Sequence, residues 1–454
     1  MVLKKNIYIN IEILTRELSS QILLSVFATK KNFRIYLGNL YSLKKILELK
    51  KNKEGIFISK GNLNNQIFKL VSEKCEKLVC LDHEITPGFS DQYYQFLIKN
   101  RFANKNKNKI NLFFCLNEQI KKNFIKSLNL SKNKVIASGW PKVDLYRKEF
   151  KSLYKKEKEQ LKKKYKKYYL FNSDYGVLSK DYANQKIELM KKYGSKSKKL
   201  NKIFHQFHTN DFENLKFFLN KLKKFKKVPK IVFRPHPSEN LDEWKTIKKI
   251  DSRFIIHPPI DDVSPLIEGS YGVIHRGCTT AFQSLIMRKK TGYLNISKGL
   301  KKVDRYRPFL FHNSHKLNSV NSLLNWFEIS KKKKINKPKI DYLLNINRQY
   351  SCEKIVNELI KLKVSQEKKQ STFKLYRDSE LRIIKIKNLA YDILSNLKIV
   401  KERNYFKKGA PEKISKDFNK YKIVNYINLY KKALNMKNKK ISVRKITDNL
   451  FEIE

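Results

Sequence analysis

The sequence predicts an α/β protein of two Rossmann-like domains, each a doubly wound parallel sheet, that face each other across a cleft. Three observations predict this class. Short apolar runs alternate with helical segments over the first 150 residues, the same alternation resumes after residue 167, and polar residues follow several of the apolar runs. At 454 residues the chain is long enough for two or three domains with sizeable cores.

The changes in pattern also predict the domain boundaries. The four predicted units are an N-terminal Rossmann-like domain at 1–150, a lysine-rich crossover at 151–167, a second Rossmann-like domain at 168–365, and a basic, mainly helical extension at 366–454. The segment 440–454 alternates enough to form a terminal hairpin or strand. We expect the extension either to dock on an anionic bilayer or to buttress the second domain.

Several short apolar runs are predicted strands. In the N-terminal domain they lie at 6–14, 35–37, 55–58, 78–81 and 112–116, and in the second domain at 168–171, 231–233, 255–256, near 274, and at 291–295. The segments between them carry helical periodicity, which is typical of crossover connections in a parallel sheet.

The charge of the chain is extreme, with 100 Lys and Arg against 41 Asp and Glu, a formal net charge of +59. Such a balance favours attraction to nucleic acid or to anionic lipid, although drift in an AT-rich genome would also produce it. The sequence contains no zinc-finger, RNP or basic-helix motif, so no specific nucleic-acid partner is expected. Peripheral contact with an anionic membrane is expected instead.

The cysteines and the apolar runs indicate whether the chain binds a structural metal and where in the cell it resides. Five scattered cysteines, none in CxxC or zinc-like spacing, predict buried free thiols and no structural metal. His205 and His208 share a helix face but lack a third ligand of suitable spacing, so a structural role is favoured. No apolar run reaches about 18 residues, and the first residues lack a signal-peptide core. We expect cytoplasmic residence, with the inner face of the cytoplasmic membrane as a second option.

A proline-braced loop follows the strand at 231–233. It reads Arg234-Pro235-His236-Pro237-Ser238, and its two prolines remove backbone donors and bias the chain away from helix. Ser238 is the predicted cap of the next helix, with Glu239 in its first turn. A cationic and an imidazole side chain therefore follow the end of a buried strand.

A second loop, after the strand near 274, carries hydroxyls at a predicted helix start. Gly277 permits a tight turn after Arg276, and Thr279 and Thr280 begin the helix. Free N–H groups, two hydroxyls and the helix dipole together form an anion site. In open α/β sheets ligands gather at the carboxyl ends of strands, so both loops predict a nucleotide or sugar-phosphate pocket.

These two loops resemble the C-terminal domain of GT-B glycosyltransferases. More narrowly, they resemble bacterial surface carbohydrate biosynthesis proteins, relatives of the transferases that use CMP-activated acidic sugars such as Kdo and sialic acid. The resemblance covers about residues 5–365, and Gly139, Pro141 and Asp144 match the family's segment before the interdomain connection. It implies an acceptor-binding first domain and a nucleotide-sugar-binding second domain.

The resemblance also implies roles for individual residues. The donor nucleotide is expected at Arg234, His236, Pro237, Ser238, Arg276, Gly277, Thr279, Thr280, Gln283, Asn172 and Ser173. Gln283 stands where relatives often carry a carboxylate for the ribose, which leaves the nucleotide open. No metal and no bound cofactor are expected, because cationic side chains and a helix end would neutralise the leaving group.

An acidic segment after the strand at 78–81 is the predicted catalytic element. The family places there a carboxylate that deprotonates the acceptor hydroxyl, which by position is Glu84, with Asp82 as its neighbour. His83 replaces an expected acid and is a substitute base, and Ile85 replaces the usual glycine. The alternative is a strand-end acid that caps the following turn.

The sequence therefore predicts a metal-independent glycosyltransferase of surface polysaccharide synthesis. It would transfer a sugar from a nucleotide-sugar, with a CMP-sugar favoured, to a glycan or lipid-linked acceptor. Two other classes fit the pattern. A glycerol-phosphate transferase or a sugar-nucleotide epimerase could share the architecture, and an epimerase would carry extra acids in the cleft. A non-enzymatic basic protein that binds RNA or anionic glycan is the second alternative.

Overall fold

The computed structural model describes residues 3–61, 63–102, 106–175, 212–237, 239–296, 308–331, 349–366, 418–447 and 449–454. The expected helices at His205 and His208 and at 379–400 lie outside these ranges, as does Ser238. No helix within these ranges is both long and apolar enough to cross a membrane.

The N-terminal sheet is parallel through six consecutive strands. They are β1 (Lys5–Asn10), β2 (Phe33–Gly38), β3 (Ile56–Ser59), β4 (Lys77–Leu81), β5 (Leu112–Cys115) and β6 (Val135–Ala137). Their spatial order is β2-β1-β3-β4-β5-β6, so the chain leaves β1 on one side and returns on the other. The order reverses between β1 and β3, which is where such sheets bind ligands.

Helices cover both faces of this sheet. They are α1 (Leu14–Lys30), α2 (Leu40–Leu49), α3 (Asn65–Lys74), α4 (Asp91–Phe102), α5 (Glu118–Leu128) and α6 (Pro141–Asp144). The helix that follows, α7 (Lys155–Tyr165), packs on the second domain instead. Asparagine side chains cap three of the first-domain helices by accepting from the N–H three residues ahead; these are Asn39, Asn64 and Asn117. Separate apolar clusters fill the two faces, as expected for a doubly wound sheet.

The second sheet has six parallel strands in the described ranges. They are β7 (Tyr168–Asn172), β8 (Lys230–Arg234), β9 (Phe254–Ile256), β10 (Val273–His275), β11 (Thr291–Leu294) and β12 (His315–Leu317), in the order β12-β11-β10-β7-β8-β9. The order reverses between β7 and β10. The predicted class, two Rossmann-like domains with doubly wound parallel sheets, is confirmed.

The helices of the second domain also lie on both faces of its sheet. They are α8 (212–222), α9 (Leu241–Lys248), α10 (Ser264–Gly269), α11 (Thr279–Ile286), α12 (Pro308–His312) and α13 (Val320–Lys331). The next helix, α14 (Ser351–Lys361), packs on α1 of the first domain. Asn240 caps α9 by accepting from the N–H of Asp242. The predicted cap at Ser238 is therefore wrong, and Glu239 precedes the helix instead of lying in its first turn.

Helix α14 returns the chain to the N-terminal domain. The carboxylate of Asp144, buried at the end of α6, accepts hydrogen bonds from the N–H groups of Ser351 and Cys352 at 3.0 and 2.9 Å. These are among the first N–H groups of α14, so Asp144 satisfies donors that have no partner within the helix. This explains the acid in the 139–144 segment as a structural anchor.

The C-terminal segment belongs structurally to the N-terminal domain. It contains α15 (Lys420–Ala433), which packs on α1, and the hairpin β13 (Val443–Thr447) and β14 (Leu450–Ile453). Strand β14 pairs antiparallel with β2 and so extends the N-terminal sheet. The expected terminal hairpin is confirmed, and the described part of the extension buttresses the first domain and not the second.

The two domains touch on both sides of the cleft. On one side, Asp262 accepts hydrogen bonds from Lys142 Nζ at 2.5 Å and from Ser19 Oγ at 3.4 Å. On the other side, Phe309 packs against Gly88 and stacks on Phe282 of α11. Gly88 has φ of +79°, and a Cβ there would collide with Phe309, so glycine is required for this contact.

We predict that Phe451→Ala destabilises the N-terminal domain by about 3–5 kcal/mol, because the substitution leaves a cavity beside Phe418 in a fully buried position. Urea unfolding of the full chain measures the effect. Tyr421→Ala, in the same segment but 83% exposed, should change the free energy of unfolding by less than about 0.5 kcal/mol. Equal effects of the two substitutions would contradict the assignment of this segment to the core.

Candidate active site

The acidic segment forms a tight turn at the carboxyl end of β4. The carboxylate of Asp82 accepts hydrogen bonds from the N–H groups of Glu84 and Ile85, at 3.3 and 3.0 Å. Asp82 is fully buried, and burial raises its pKa to about 6. Asp82 therefore caps the turn that follows β4, which is the alternative role predicted for a strand-end acid.

Glu84 points instead into a group of cations. Lys60 Nζ lies 2.8 Å from one carboxylate oxygen, Arg16 lies 3.8 Å from the same oxygen, and Arg101 donates a hydrogen bond to the other. Burial alone would raise the pKa of Glu84, but the three cations hold it well below its usual value of 4.5. Glu84 is therefore ionised at neutral pH and retains partial exposure.

Lys60 is the centre of this cluster. It follows β3, and besides Glu84 it binds Glu17 Oε1 at 2.8 Å and Glu12 Oε2 at 3.1 Å. Glu17 in turn accepts from the N–H of Glu12 at the start of α1. The reversal of strand order between β1 and β3 brings these residues together. We refer to Glu12, Arg16, Glu17, Lys60, Asp82, Glu84 and Arg101 as the N-domain charge cluster.

His83 does not offer a strong base. Burial, with the nearby charge of Lys60, lowers the pKa of His83 to about 3, so its imidazole is neutral at neutral pH. Its Nε2 lies 3.5 Å from the side-chain nitrogen of Gln21 on α1. A base with so low a pKa gains little from proton transfer near pH 7.

The second domain places polar side chains at the carboxyl ends of adjacent strands. Asn172 ends β7 and lies opposite Arg234, which ends β8. Asn172 is 2% exposed, and neither its side-chain oxygen nor its nitrogen has a hydrogen-bond partner among the described residues. An unpaired buried amide costs about 1–3 kcal/mol, so this edge of the sheet is suited to a polar ligand.

Arg234 is a buried cation without a carboxylate partner in the described ranges. It donates from Nη2 to the backbone oxygen of Asp261 at 2.7 Å, and its Nε is unpaired. Burial lowers the pKa of Arg234 to about 10, so the guanidinium stays charged at neutral pH. A buried charge of this kind is strongly stabilised by an anion, which makes Arg234 a candidate phosphate ligand.

Glu239 fixes the proline-braced loop. Its carboxylate accepts from Ser173 Oγ at 2.7 Å, from the N–H of His236 at 3.0 Å and from Trp244 Nε1 at 2.9 Å. Ser173, expected to touch the donor, is thus committed to a structural bond. The contact orients the loop that carries His236 and half-buried Pro237. Sequence reasoning missed Glu239 because it was assigned to a helix.

The loop after β10 is built on two buried side chains. His275 Nδ1 accepts from the N–H of Gly277 at 3.1 Å, which supports the turn in which Gly277 has φ of +102°. Arg276 lies over the ring of Tyr175, 3.9 Å from its centroid, and pairs with Asp174 at 3.2 Å. Arg276 is therefore anchored to the loop that follows β7.

Helix α11 begins directly after this turn, as predicted. Cys278 at its N-cap makes no side-chain capping bond, and its thiol lies 2.7 Å from Thr280 Oγ1. Thr279 and Thr280 are half-buried at the helix end, and the buried Oε1 of Gln283 is unpaired among the described residues. The N-terminus of α11 thus faces the reversal point between β7 and β10, beside Asn172.

The two halves share one cleft. Arg16 of α1 pairs with Glu84, and its charge adds a smaller effect to the burial that lowers the pKa of Arg234 in the second domain. Asp262 lies between them, because it binds Lys142 and Ser19 of the first domain and attracts Arg234 of the second. Among the described residues, no group of three or more His, Cys, Asp or Glu side chains is arranged to hold a metal ion.

No protein-family model matches the sequence, and no curated protein is detectably similar to it. Solved structures of similar architecture include the UDP-GlcNAc 2-epimerase of Methanocaldococcus jannaschii in complex with UDP-GlcNAc and UDP (13% identity, 79% of this chain and 99% of that chain, TM-score 0.47). The UDP-N-acetylglucosamine 2-epimerase from Rickettsia bellii is similar to the same degree (13%, 79% and 96%, TM-score 0.48). The wall teichoic acid polymerase TagF is a further example (10%, 79% and 88%, TM-score 0.44).

We predict that Glu239 makes the stability of the second domain depend on pH. Burial raises the pKa of Glu239 to about 8 from 4.5. Between these values the folded chain holds a proton that the unfolded chain has released, so stability falls as the pH rises. The wild-type free energy of unfolding should therefore decrease between pH 5 and 8 relative to that of Glu239→Gln, which cannot ionise.

Urea unfolding at each pH, followed by tryptophan fluorescence, measures this difference, since Trp244 is buried against Glu239. Parallel pH dependences of the two proteins would contradict the prediction.

Proposed function

We propose that the protein is a metal-independent glycosyltransferase of surface polysaccharide synthesis, with a nucleotide-sugar donor in the second domain and a glycan or lipid-linked acceptor in the first. One observation supports the donor site above all others. Arg234, a buried cation without a carboxylate partner in the described ranges, lies beside the buried and unpaired amide of Asn172. The preference for a CMP-sugar comes from the sequence resemblance alone.

The chemistry of the donor explains why these groups would be needed. When the sugar leaves a nucleotide, negative charge grows on the phosphate oxygens, and preorganised donors stabilise that charge in the transition state. The guanidinium of Arg234, the N-terminus of α11 with Thr279 and Thr280, and the loop of His236 are the groups assigned to this task. The amide of Asn172 would bind a polar group of the nucleotide or sugar.

Glu84 is our candidate for the general base. It is ionised at neutral pH and partly exposed, whereas both oxygens of Asp82 are bonded to the turn. Its cationic neighbours weaken it as a base, so we expect a contribution of about 10², the lower end of the usual range. The same cations could bind an acidic acceptor or the departing phosphate.

A sugar-nucleotide epimerase is the second candidate, and a specific observation favours it. Four carboxylates, those of Glu12, Glu17, Asp82 and Glu84, gather in the N-domain charge cluster. Extra acids in the cleft are what an epimerase would require. An epimerase would convert a UDP-sugar without any acceptor, whereas a transferase would release nucleotide in proportion to acceptor glycosylated.

We predict opposite effects of Asn172→Leu on stability and on binding. The free protein should gain about 1–2 kcal/mol, because an unpaired buried amide is removed, while stabilisation by the cognate nucleotide is lost. Thermal shifts with CMP, CDP, UDP and GDP measure both effects, since a ligand at 100 times its Kd stabilises the native state by about 2.7 kcal/mol.

Asn123→Leu provides the matched control for this experiment. Asn123 is also buried, but it donates to Asp91 at 2.9 Å, so the substitution should destabilise the protein and leave the nucleotide response intact. Destabilisation by Asn172→Leu together with a preserved nucleotide response would contradict the proposed donor site.

We predict that Glu84→Gln lowers kcat about 100-fold without weakening nucleotide binding, because a base acts on the acceptor and not on the donor. Steady-state kinetics, with CMP-, UDP- and GDP-sugars and a lipid-linked or glycan acceptor, measure the effect. Glu12→Gln is the control, since Glu12 also pairs with Lys60 and is exposed but has no assigned chemical role. Equal losses in the two variants would identify charge balance, and not proton transfer, as the function of Glu84.

A further inference from the structure

A surface of the second domain combines exposed phenylalanines with lysines. Phe217 on α8 is 63% exposed and Phe225 in the following turn is 41% exposed. Lys221 lies over the ring of Phe217, 4.3 Å from its centroid, and the turn adds exposed lysines at 223, 224, 226 and 227. We refer to Phe217, Phe225, Lys221 and the lysines of 223–227 as the Phe–Lys surface.

Hydrogen bonds from a partly exposed arginine hold this turn in shape. Arg253 donates from its guanidinium to the backbone oxygens of Phe225 at 2.7 Å and Lys223 at 2.8 Å, and Nη2 pairs with Asp251 at 2.6 Å. Arg253 therefore ties two positions of the turn to one side chain, which Asp251 holds in place. In this arrangement Phe225 keeps 41% of its surface exposed, and that apolar area is available to a partner.

The charge around the two rings has one sign. No acidic residue occurs between Asn214 and Ser238, whereas Lys216 and the lysines of the Phe–Lys surface fall in the same stretch. Two acids that adjoin this stretch are paired with cations, since Glu213 pairs with Lys216 at 2.5 Å and Asp251 pairs with Arg253 at 2.6 Å. The partner of this surface must therefore be anionic as well as able to accept apolar rings.

We propose that the Phe–Lys surface docks the protein on an anionic lipid bilayer. Aromatic rings can enter the boundary between head groups and acyl chains, while lysine stems lie along the bilayer surface and place their ammonium groups among the phosphates. The turn precedes β8, at the amino end of the strand, whereas the candidate active site lies at the carboxyl ends. Docking here leaves the cleft on the side of the domain away from the bilayer, open to a soluble acceptor.

The composition of the surface favours lipid over nucleic acid. Base stacking would use the aromatic rings, but affinity for nucleic acid comes from phosphate contacts that arginine makes best. All the exposed cations of this surface are lysines, and the one arginine, Arg253, is occupied by backbone oxygens and Asp251. The inference does not depend on the proposed enzymatic function.

Co-sedimentation of the full chain with phosphatidylcholine vesicles, with and without phosphatidylglycerol, tests the proposal. We expect binding only to the anionic vesicles. Lys223→Gln/Lys224→Gln/Lys226→Gln should weaken it about 100-fold, from about fivefold per lysine, and Phe217→Ser/Phe225→Ser at least about tenfold. Thermal unfolding should show that both variants remain folded, because the substituted side chains are exposed.

Tyr41→Ser/Lys45→Gln is the matched control. Tyr41 is 41% exposed, like Phe225, and the ammonium of Lys45 lies 5.5 Å from its ring centroid. This variant should bind vesicles as tightly as the wild type. The proposal fails if the wild type does not bind anionic vesicles, or if the control loses as much affinity as the Phe–Lys variants. It also fails if single-stranded RNA, and not lipid, is the ligand that these variants lose.

Discussion

The arrangement of the cleft depends on the buried carboxylate of Asp262. One of its oxygens accepts from Lys142 and Ser19 of the first domain, and the other accepts from the backbone and hydroxyl of Ser264 in its own domain. Burial alone would raise the pKa of Asp262, but Lys142 and Ser264 hold it below its usual range. Loss of one partner would leave an uncompensated buried charge, at a cost of about 3–5 kcal/mol. Asp262 therefore holds one side of the cleft together, and the contact of Phe309 with Gly88 holds the other.

The charged side chains on the two sides of the cleft have different kinds of partner. In the first domain the carboxylates of Glu12, Glu17 and Glu84 surround the ammonium of Lys60, so the cluster is largely neutralised by its own members. In the second domain Arg234 has only a backbone oxygen as its partner among the described residues. A negatively charged ligand is therefore stabilised more by the second domain than by the first.

The sequence predicted the strands and the loops that follow them, but not the side-chain contacts between those loops. The strands, the two loops at 234–238 and 276–280, and the helix start at Thr279 could be predicted because they depend on local pattern and on glycine and proline. The partners of Glu84 could not, because Arg101 lies a helix away in sequence and meets it only in the folded sheet. Glu239 was missed for a similar reason, since its three donors come from separate segments.

The domain to which the C-terminal segment belongs could not be predicted from the sequence either. Its hairpin was predictable from alternation, whereas its pairing with β2 was not, because an edge strand accepts any compatible partner. The hydroxyl of Tyr430 on α15 donates to the backbone oxygen of Ser19, the residue whose side chain reaches Asp262. The last helix of the chain thus supports α1 where α1 meets the second domain.

The polar residues at the donor edge reduce the stability of the free protein. Among the described residues the buried arginine has no carboxylate partner and the buried amide has no hydrogen-bond partner, and each costs free energy that an apolar pair of similar volume would not. Net stabilities of folded proteins are only about 5–15 kcal/mol, so this cost is a substantial fraction. A ligand that supplies an anion to Arg234 and a polar partner to Asn172 would recover it. These two positions are therefore easier to explain by ligand binding than by folding.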